Sequence, residues 1–159
     1  MIRSHRWLLG LLLAASSLFA APAGVVLNLP CDGSLLDTSG HGNDAFVNRP
    51  QYVAGHSGQG LKLTREALTV SDRAELRLSP GLRIDCWLRF DAEPVAGREL
   101  VVKDNEYMLR VDPAGEGAQF AFFVYVDGWE PRVRSAVVPK VGVWYHLVAG
   151  WDGHELSLT

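Results

Sequence analysis

A short polar loop, residues 35–47 with the sequence LLDTSGHGNDAFV, places several oxygen-bearing side chains between apolar flanks. Asp37, Asn43 and Asp44 supply side-chain oxygens. Two glycines between them allow the backbone to curve so that carbonyl groups, such as that of His41, point inward. Calcium binds to such a set of carboxylate, amide and carbonyl oxygens. The same residue types also form a metal-free Asx-turn, in which an Asp or Asn side chain accepts backbone N–H groups, so the residues alone leave both interpretations open.

A second set of residues is suited to binding a sugar. Trp129 follows the Asp-Gly pair at 127–128, which predicts an exposed hairpin turn, and Tyr125 and Arg132 or Arg134 lie in the same hairpin. Aromatic rings stack on sugar rings while nearby polar groups hold the hydroxyls. The sequence therefore predicts ligand contacts at Tyr125, Trp129 and Arg132. Other tryptophans can equally pack under a loop or in a second layer, namely Trp87, Trp144 and Trp151.

No motif in the sequence supports catalysis. Glycoside hydrolysis needs two carboxylates that face the scissile bond, whereas the run DNEYMLRVD breaks into apolar residues and ELSLT has a single acid. The sequence contains no G-x-S-x-G elbow of a serine hydrolase. His146 lies in an apolar strand and is interpreted as a hydrogen-bonded structural histidine. We therefore expect no enzyme activity and assign no catalytic residue.

Residues 1–23 have the pattern of a signal peptide. Two arginines precede the apolar run LLGLLLAASSLFA, and APA supplies the small residues required before a cleavage site, best placed after Ala23. Removing this segment lowers the basic residues from 15 to 13 against 18 acidic ones, so the net charge changes from −3 to −5. A modestly acidic chain without a basic run argues against nucleic acid as a partner. We expect a secreted, cell-surface or periplasmic protein with no membrane span after cleavage.

The two cysteines, Cys31 and Cys86, lie at apolar positions of predicted strands. They are either two separate buried side chains or, because export permits it, the partners of a disulfide. The sequence leaves this choice open.

Alternating polar and apolar residues run through almost all of the remaining sequence, which is typical of β-strands. Clear cases are LRIDCWLRF at 82–90, where Trp87 falls on the polar side, and VVLNLP at 25–30. Many short strands separated by Gly, Asp and Pro turns predict an all-β fold, an antiparallel β-sandwich or jelly roll, in one domain over residues 24–159. The last run, GHELSLT, begins a strand and stops at Thr159, so we expect the final strands to be incomplete in this chain.

Four segments together resemble the laminin G-like, concanavalin A-like jelly-roll domains of exported, multidomain bacterial proteins. They are LNLPCDGSLLDTSGHGNDA, with a loop similar to D-x-S-G-x-G-N-x-G; GHSGQGLKL, similar to G-x-x-G-x-A-L-x-F; LRIDCWLRF; and VGVWYHLVAGWDGHELSL, similar to W-x-H-V-A-x-x-Y-D-G-x-x-L. In order and spacing they cover nearly all of residues 24–159. The chain departs from the family pattern at Ala45, where glycine is usual, and at Trp151, where tyrosine is usual.

The resemblance implies a β-sandwich with a structural calcium ion in the opening loop. The implied ligands are Asp37, His41, Asn43 and, from a neighbouring strand end, Asp152. The resemblance also implies a non-catalytic binding module for carbohydrate or a cell-surface glycoconjugate, within a larger multidomain protein. Alternatives are a structural or protein-interaction domain of a surface protein and an accessory domain of a glycan-active enzyme, because one fold hosts many functions.

Overall fold

The computed structural model describes residues 24–78, 81–93 and 95–159, so the predicted signal peptide, residues 1–23, lies outside it. In the described residues the fold is nearly all β, with two 3₁₀ turns at Ala74–Leu76 and Ala114–Glu116. The strands are, in chain order, β1 (Ala45–Phe46), β2 (Gln51–Ala54), β3 (Gln59–Lys62), β4 (Thr69–Val70), β5 (Leu82–Arg89), β6 (Glu99–Lys103), β7 (Tyr107–Val111), β8 (Phe120–Val124), β9 (Arg132–Arg134), β10 (Trp144–Trp151) and β11 (Leu156–Leu158). None of the described segments is a helix long and apolar enough to cross a membrane.

Two antiparallel sheets pack against each other around one core. The three-stranded sheet has the order β11–β10–β5 and the four-stranded sheet the order β6–β7–β8–β9, and two further pairs join β1 to β4 and β2 to β3. Buried residues of both sheets meet in the core, including Leu147 and Ala149 of β10 and Phe120 and Phe122 of β8. Facing apolar surfaces of two sheets form the core of a β-sandwich, so the predicted fold class is confirmed.

Strand β5 confirms the direction of its side chains predicted from the alternating sequence. Its eight residues alternate between half-buried and exposed, because successive side chains of a strand point to opposite faces. Ile84, Cys86 and Leu88 pack on the core. Trp87 points away from the core and is 48% exposed.

The hairpin predicted from the Asp-Gly pair at 127–128 forms, and a second hairpin forms at the Asp-Gly pair at 152–153, although both connections are longer than two residues. Strand β8 pairs with β9 across residues 125–131, and β10 pairs with β11 across residues 152–155. Asp127, Gly128 and Gly153 adopt positive φ angles of 57°, 134° and 97°. Glycine accepts this conformation readily, and aspartate does so more often than most residues.

The prediction of a strand at residues 25–30 is wrong, because this segment belongs to no β-ladder. Its backbone groups bond to the polar loop instead of to a neighbouring strand. The Val26 carbonyl accepts a hydrogen bond from Nδ2 of Asn43 at 2.7 Å. The N–H of Asn28 donates to Oδ1 of Asp37 at 2.9 Å. Side chains thus satisfy backbone groups that a ladder would otherwise pair.

Cys31 and Cys86 are separate, half-buried thiols in the structure. Cys86 packs against the core. Burial and the neighbouring Asp85 carboxylate raise the pKa of Cys86 to about 11, and burial also raises the pKa of Cys31. Of the two interpretations of these cysteines, the structure has the one without a disulfide.

Candidate functional site

The outer face of the four-stranded sheet combines charged and aromatic residues. Because directly paired residues of neighbouring strands share a face, the register of β7, β8 and β9 defines two adjacent rows of side chains. These rows are Met108–Phe123–Arg132 and Arg110–Ala121–Arg134. We call this surface the arginine face. The opposite side of the same strands packs into the core.

Phe123 places two positive charges side by side on the arginine face. The residue is only 3% exposed. Cζ of Arg110 lies 4.6 Å from the centroid of its ring, and Cζ of Arg132 lies 5.4 Å from the same centroid. At these distances the negative face of an aromatic ring attracts a cation.

Asp112 binds two arginines of this face and is fully buried, with 0% exposure. Its Oδ1 accepts a hydrogen bond from Nε of Arg110 at 2.8 Å, and its Oδ2 accepts one from Nε of Arg134 at 2.7 Å. A buried carboxylate is tolerated only with such partners. Asp112 therefore holds the two arginines in place as part of the folded structure.

Glu116 contacts all three arginines through a single oxygen, Oε2. This atom lies 2.7 Å from Nη1 of Arg132. It also lies 3.1 Å from Nη2 of Arg110 and 3.4 Å from Nη2 of Arg134. The hydrogen bond to Glu116 raises the pKa of the Arg132 guanidinium above its usual value. Glu116 ends the 3₁₀ turn between β7 and β8, and its side chain remains 39% exposed.

Tyr125 and Trp129 form an aromatic pair beside the arginine face. Their ring centroids are 5.3 Å apart and their planes make an angle of 81°, which is an edge-to-face arrangement. Tyr125 is 40% exposed, whereas Trp129 is half-buried against the apolar residues of the arginine face. Because Arg132 stands over Phe123 in the same region, the structure brings together the three residues that the sequence predicted as ligand contacts.

Sequence reasoning missed most of the residues around that trio, namely Arg110, Asp112, Glu116 and Phe123. One signal was present, since Arg110 interrupts the apolar run of β7 at a position that alternates with buried neighbours. Phe123 gave no signal, because both faces of β8 are buried. The local sequence pattern of one strand does not determine which strands pair or in which register they pair.

The polar loop contains an Asx-turn at Asp37. Oδ1 accepts the N–H groups of Asn28 and Ser39, both at 2.9 Å. Oδ2 accepts the N–H of Asn43 at 2.9 Å and the hydroxyl of Ser39 at 2.7 Å. Partial burial opposes ionisation, but these hydrogen bonds outweigh it and hold the pKa of Asp37 well below its usual value. One of the two interpretations of the loop, the Asx-turn, is therefore present in the structure.

Asn43 is the buried residue of the loop, with 2% exposure. Its Nδ2 donates to the Val26 carbonyl at 2.7 Å and to Oε1 of Glu75 at 3.3 Å. Since a carbonyl only accepts hydrogen bonds, the nitrogen must face Val26 and the amide orientation is fixed. Oδ1 is then buried without a hydrogen-bond partner among the described residues. Such an acceptor is uncommon, and amide oxygens are calcium ligands, so Asn43 fits the predicted metal loop.

The other two residues of the predicted calcium set have different surroundings. His41 is exposed, and its backbone N–H donates to the hydroxyl of Ser39 at 3.2 Å. Asp152 lies in the β10–β11 connection, where Oδ1 accepts the N–H groups of His154 at 2.8 Å and Glu155 at 2.7 Å. Within the described ranges, no three side chains of His, Cys, Asp or Glu are grouped to hold a metal. The structure thus joins Asp37 directly to Asn43, while Asp152 bonds to its own turn.

A second aromatic cluster lies on the outer face of the three-stranded sheet, and we call it the histidine stack. Trp87 stacks on His56, with centroids 3.6 Å apart, and on His146, with centroids 4.7 Å apart. Nε2 of His146 lies 2.7 Å from Oδ1 of Asp85. His146 is therefore hydrogen-bonded, as predicted, although it is exposed at the surface. Trp151, by contrast, packs against the core.

Comparison with known proteins places the chain in a family. The family model of the concanavalin A-like lectin/glucanases superfamily matches residues 64–159. This region contains the whole arginine face and the last two of the four segments that carry the resemblance, and it begins after the polar loop. No curated protein and no solved structure matches the chain. Because the matched residues make up well over half of its length, the chain belongs to the concanavalin A-like lectin/glucanases superfamily.

Proposed function

We propose that this chain is a non-catalytic carbohydrate-binding module of an exported protein, and that Tyr125, Trp129 and Arg132 contact the sugar. The observation that carries the proposal is the position of these three residues in one region, with the aromatic pair beside a guanidinium that stands on Phe123. Aromatic rings bind the apolar faces of sugars, and an arginine supplies up to five hydrogen-bond donors for hydroxyl groups. The signal-peptide pattern of residues 1–23 supports export.

The carboxylates of the arginine face support binding rather than hydrolysis. A glycosidase needs one carboxyl group as acid and a second as base or nucleophile, both open to the sugar. Asp112 is fully buried between two arginines, and Glu116 is bound by three. These are ion pairs that position arginines, and we infer that the module binds sugar without cleaving it.

The experiment is a glycan array probed with the purified full chain, followed by calorimetry of the glycans that bind. We expect Tyr125→Ala and Trp129→Phe each to weaken binding about 5- to 30-fold, the effect of losing part of an aromatic contact. Trp87→Ala is the matched control, because Trp87 is an exposed tryptophan on the other sheet. An array without any bound glycan, or equal losses in all three variants, would contradict the proposal and favour the protein-interaction alternative.

We further propose that the polar loop binds a structural calcium ion through Asp37 and Asn43, together with the carbonyl of His41 and Asp152. Support comes from the buried Oδ1 of Asn43, which has no partner among the described residues. Bound calcium would raise the melting temperature by mass action. We expect millimolar calcium to raise the Tm of the full chain and a chelator to reverse the change.

Two variants separate the calcium proposal from the metal-free Asx-turn. Asn43→Ser should lower the Tm and also abolish its response to calcium, whereas Asp152→Asn tests whether that carboxylate belongs to the site. Magnesium serves as the control ion, because it prefers a smaller and stricter octahedral site. A Tm of the unmodified chain that does not respond to calcium would leave the Asx-turn as the sole role of the loop.

A further inference from the structure

We propose that the arginine face binds a glycan carrying carboxylate groups, such as a polyuronate, and that Glu116 occupies the carboxylate position until the ligand displaces it. The inference rests on the proposed sugar-binding function of the same face and specifies its ligand class. It follows from the different roles of Asp112 and Glu116, the two carboxylates that the arginines bind.

Three guanidinium groups converge on one oxygen atom of Glu116, at distances between 2.7 and 3.4 Å. Convergence of this kind defines a binding position for a carboxylate oxygen, because guanidinium groups match carboxylates in both charge and geometry. The contacts with Asp112, Glu116 and Glu130 engage two of the three nitrogens of each arginine. Within the described part of the chain, each arginine therefore keeps a further nitrogen with donors for a larger ligand.

The two carboxylates differ in how easily a ligand can replace them. Asp112 is fully buried, so no ligand from solvent reaches its position without unfolding the sheet. The side chain of Glu116 is 39% exposed. Backbone hydrogen bonds hold its turn without the side chain, because the N–H of Glu116 donates to the Pro113 carbonyl and the N–H of Gly117 donates to the Ala114 carbonyl. Its side chain can rotate towards solvent while the turn stays intact, which leaves three arginines around an open position.

Arg132 and Phe123 connect this position to the aromatic pair, which would supply the aromatic part of a uronate site. Arg132 bonds to Glu116 at 2.7 Å and at the same time stands over Phe123, which belongs to the apolar cluster under Trp129. A uronic acid carries a ring for an aromatic surface and a carboxylate on that ring. The two features of the ligand match the two neighbouring features of the face.

The test measures binding of polygalacturonate and of its methyl-esterified form, which has the same backbone without the charges, to the full chain and to Glu116→Gln. The variant removes the internal carboxylate but keeps its shape. We expect it to bind polygalacturonate about 5- to 30-fold more tightly, since three partly exposed ion pairs no longer compete. Its binding of the methyl ester should not change. A gain in affinity cannot result from misfolding, so the readout is independent of small losses of stability.

Glu130→Gln is the matched control, because Glu130 makes an ion pair with Arg132 alone among the residues that the structure describes, and its side chain is 64% exposed. It changes the net charge by the same amount but does not open the shared position. The inference is wrong if Glu116→Gln leaves polygalacturonate binding unchanged, or if Glu130→Gln raises it by the same factor, which would indicate general electrostatic attraction.

The outcomes also separate this inference from the proposed function. Neutral glycans that bind through Tyr125, with no effect of Glu116→Gln on polygalacturonate, would overturn the inference and keep the sugar-binding function. Failure of every variant to bind any glycan, charged or neutral, would overturn both.

Discussion

On the arginine face, Phe123 is 3% exposed and Asp112 is fully buried, whereas in the histidine stack Trp87 is 48% exposed and the Asp85 side chain is 47% exposed. Both surfaces are outer faces of a sheet, and both set aromatic rings among charged groups. They differ in what covers them. The turn ending in Glu116 and the β8–β9 connection lie over the arginine face, whereas the β2–β3 connection contacts the histidine stack through His56.

The burial of a charged group determines how much its ion pair contributes to the stability of the fold. An ion pair whose carboxylate is buried must be complete, because removal of one partner leaves an uncompensated charge away from water. An exposed pair is screened by solvent and contributes little. The arginine face therefore depends on the buried Asp112 for its structure, while Glu116, which binds all three arginines, stays partly exposed for exchange. The exposed ion pairs of the histidine stack contribute less to the fold.

The largest difference should appear when the two aspartates are replaced. We expect Asp112→Ala to lower the free energy of unfolding by about 2–4 kcal/mol, because Arg110 and Arg134 lose a buried partner. The matched change Asp85→Ala should lower it by less than about 1 kcal/mol. Urea denaturation of the full chain measures both values. Equal losses in the two variants would mean that the covering turns do not set the strength of these ion pairs.

The sequence predicted the sandwich well because side-chain alternation is a local property. Strand β5 formed as predicted, and Trp87 points outward as its position in the alternation required. The segment at residues 25–30 has a similar pattern but bonds to Asp37 and Asn43, since alternation describes side chains and not the partner of the backbone. The arginine face was only partly predictable, because it depends on the register of three strands and on turns that fold over them.

Cys86 extends the comparison to the inner side of β5, one residue before Trp87. Its pKa, raised to about 11 by burial and by Asp85, makes the reactive thiolate about 200-fold scarcer at pH 8 than in an exposed cysteine, whose pKa is about 8.5. In the Cys31→Ser variant we therefore expect iodoacetamide to modify Cys86 at least about 100-fold more slowly in the folded protein than in urea. Mass spectrometry over time measures the rate. Similar rates in both states would show that this side of β5 is open to solvent.

The aromatic contacts of the histidine stack should give a smaller, graded effect. Trp87→Ala removes two ring contacts, with His56 and with His146, and each aromatic pair contributes about 0.5–1.5 kcal/mol. We expect a loss of about 1–2 kcal/mol in urea denaturation. His56→Ala removes the stacked contact with Trp87 and a longer edge contact with Trp144, whose ring centroids are 5.8 Å apart, but it keeps the contact of Trp87 with His146. It should therefore lose less than Trp87→Ala. A full loss from His56→Ala would indicate that the β2–β3 connection, rather than stacking, stabilises this surface.

The weakest predicted effect concerns the pH dependence of the histidine stack. The hydrogen bond from His146, with a smaller contribution from Arg83, holds the pKa of Asp85 below its usual value. A carboxyl group whose pKa is lower in the folded than in the unfolded state, where it is about 3.9, stabilises the fold above that pH. This contribution is lost as the pH falls through the folded-state pKa. Because the Asp85 side chain is 47% exposed, solvent screening keeps the contribution below about 1 kcal/mol.

We expect the stability difference between the unmodified chain and Asp85→Asn to be measurable in urea at pH 6 and to shrink on acidification to pH 3. It should be smaller at both pH values in a His146→Gln background, which lacks the main partner. A stability difference that grows on acidification would contradict this prediction. It would mean that the fold stabilises the neutral form of Asp85, as is typical of a buried carboxyl group.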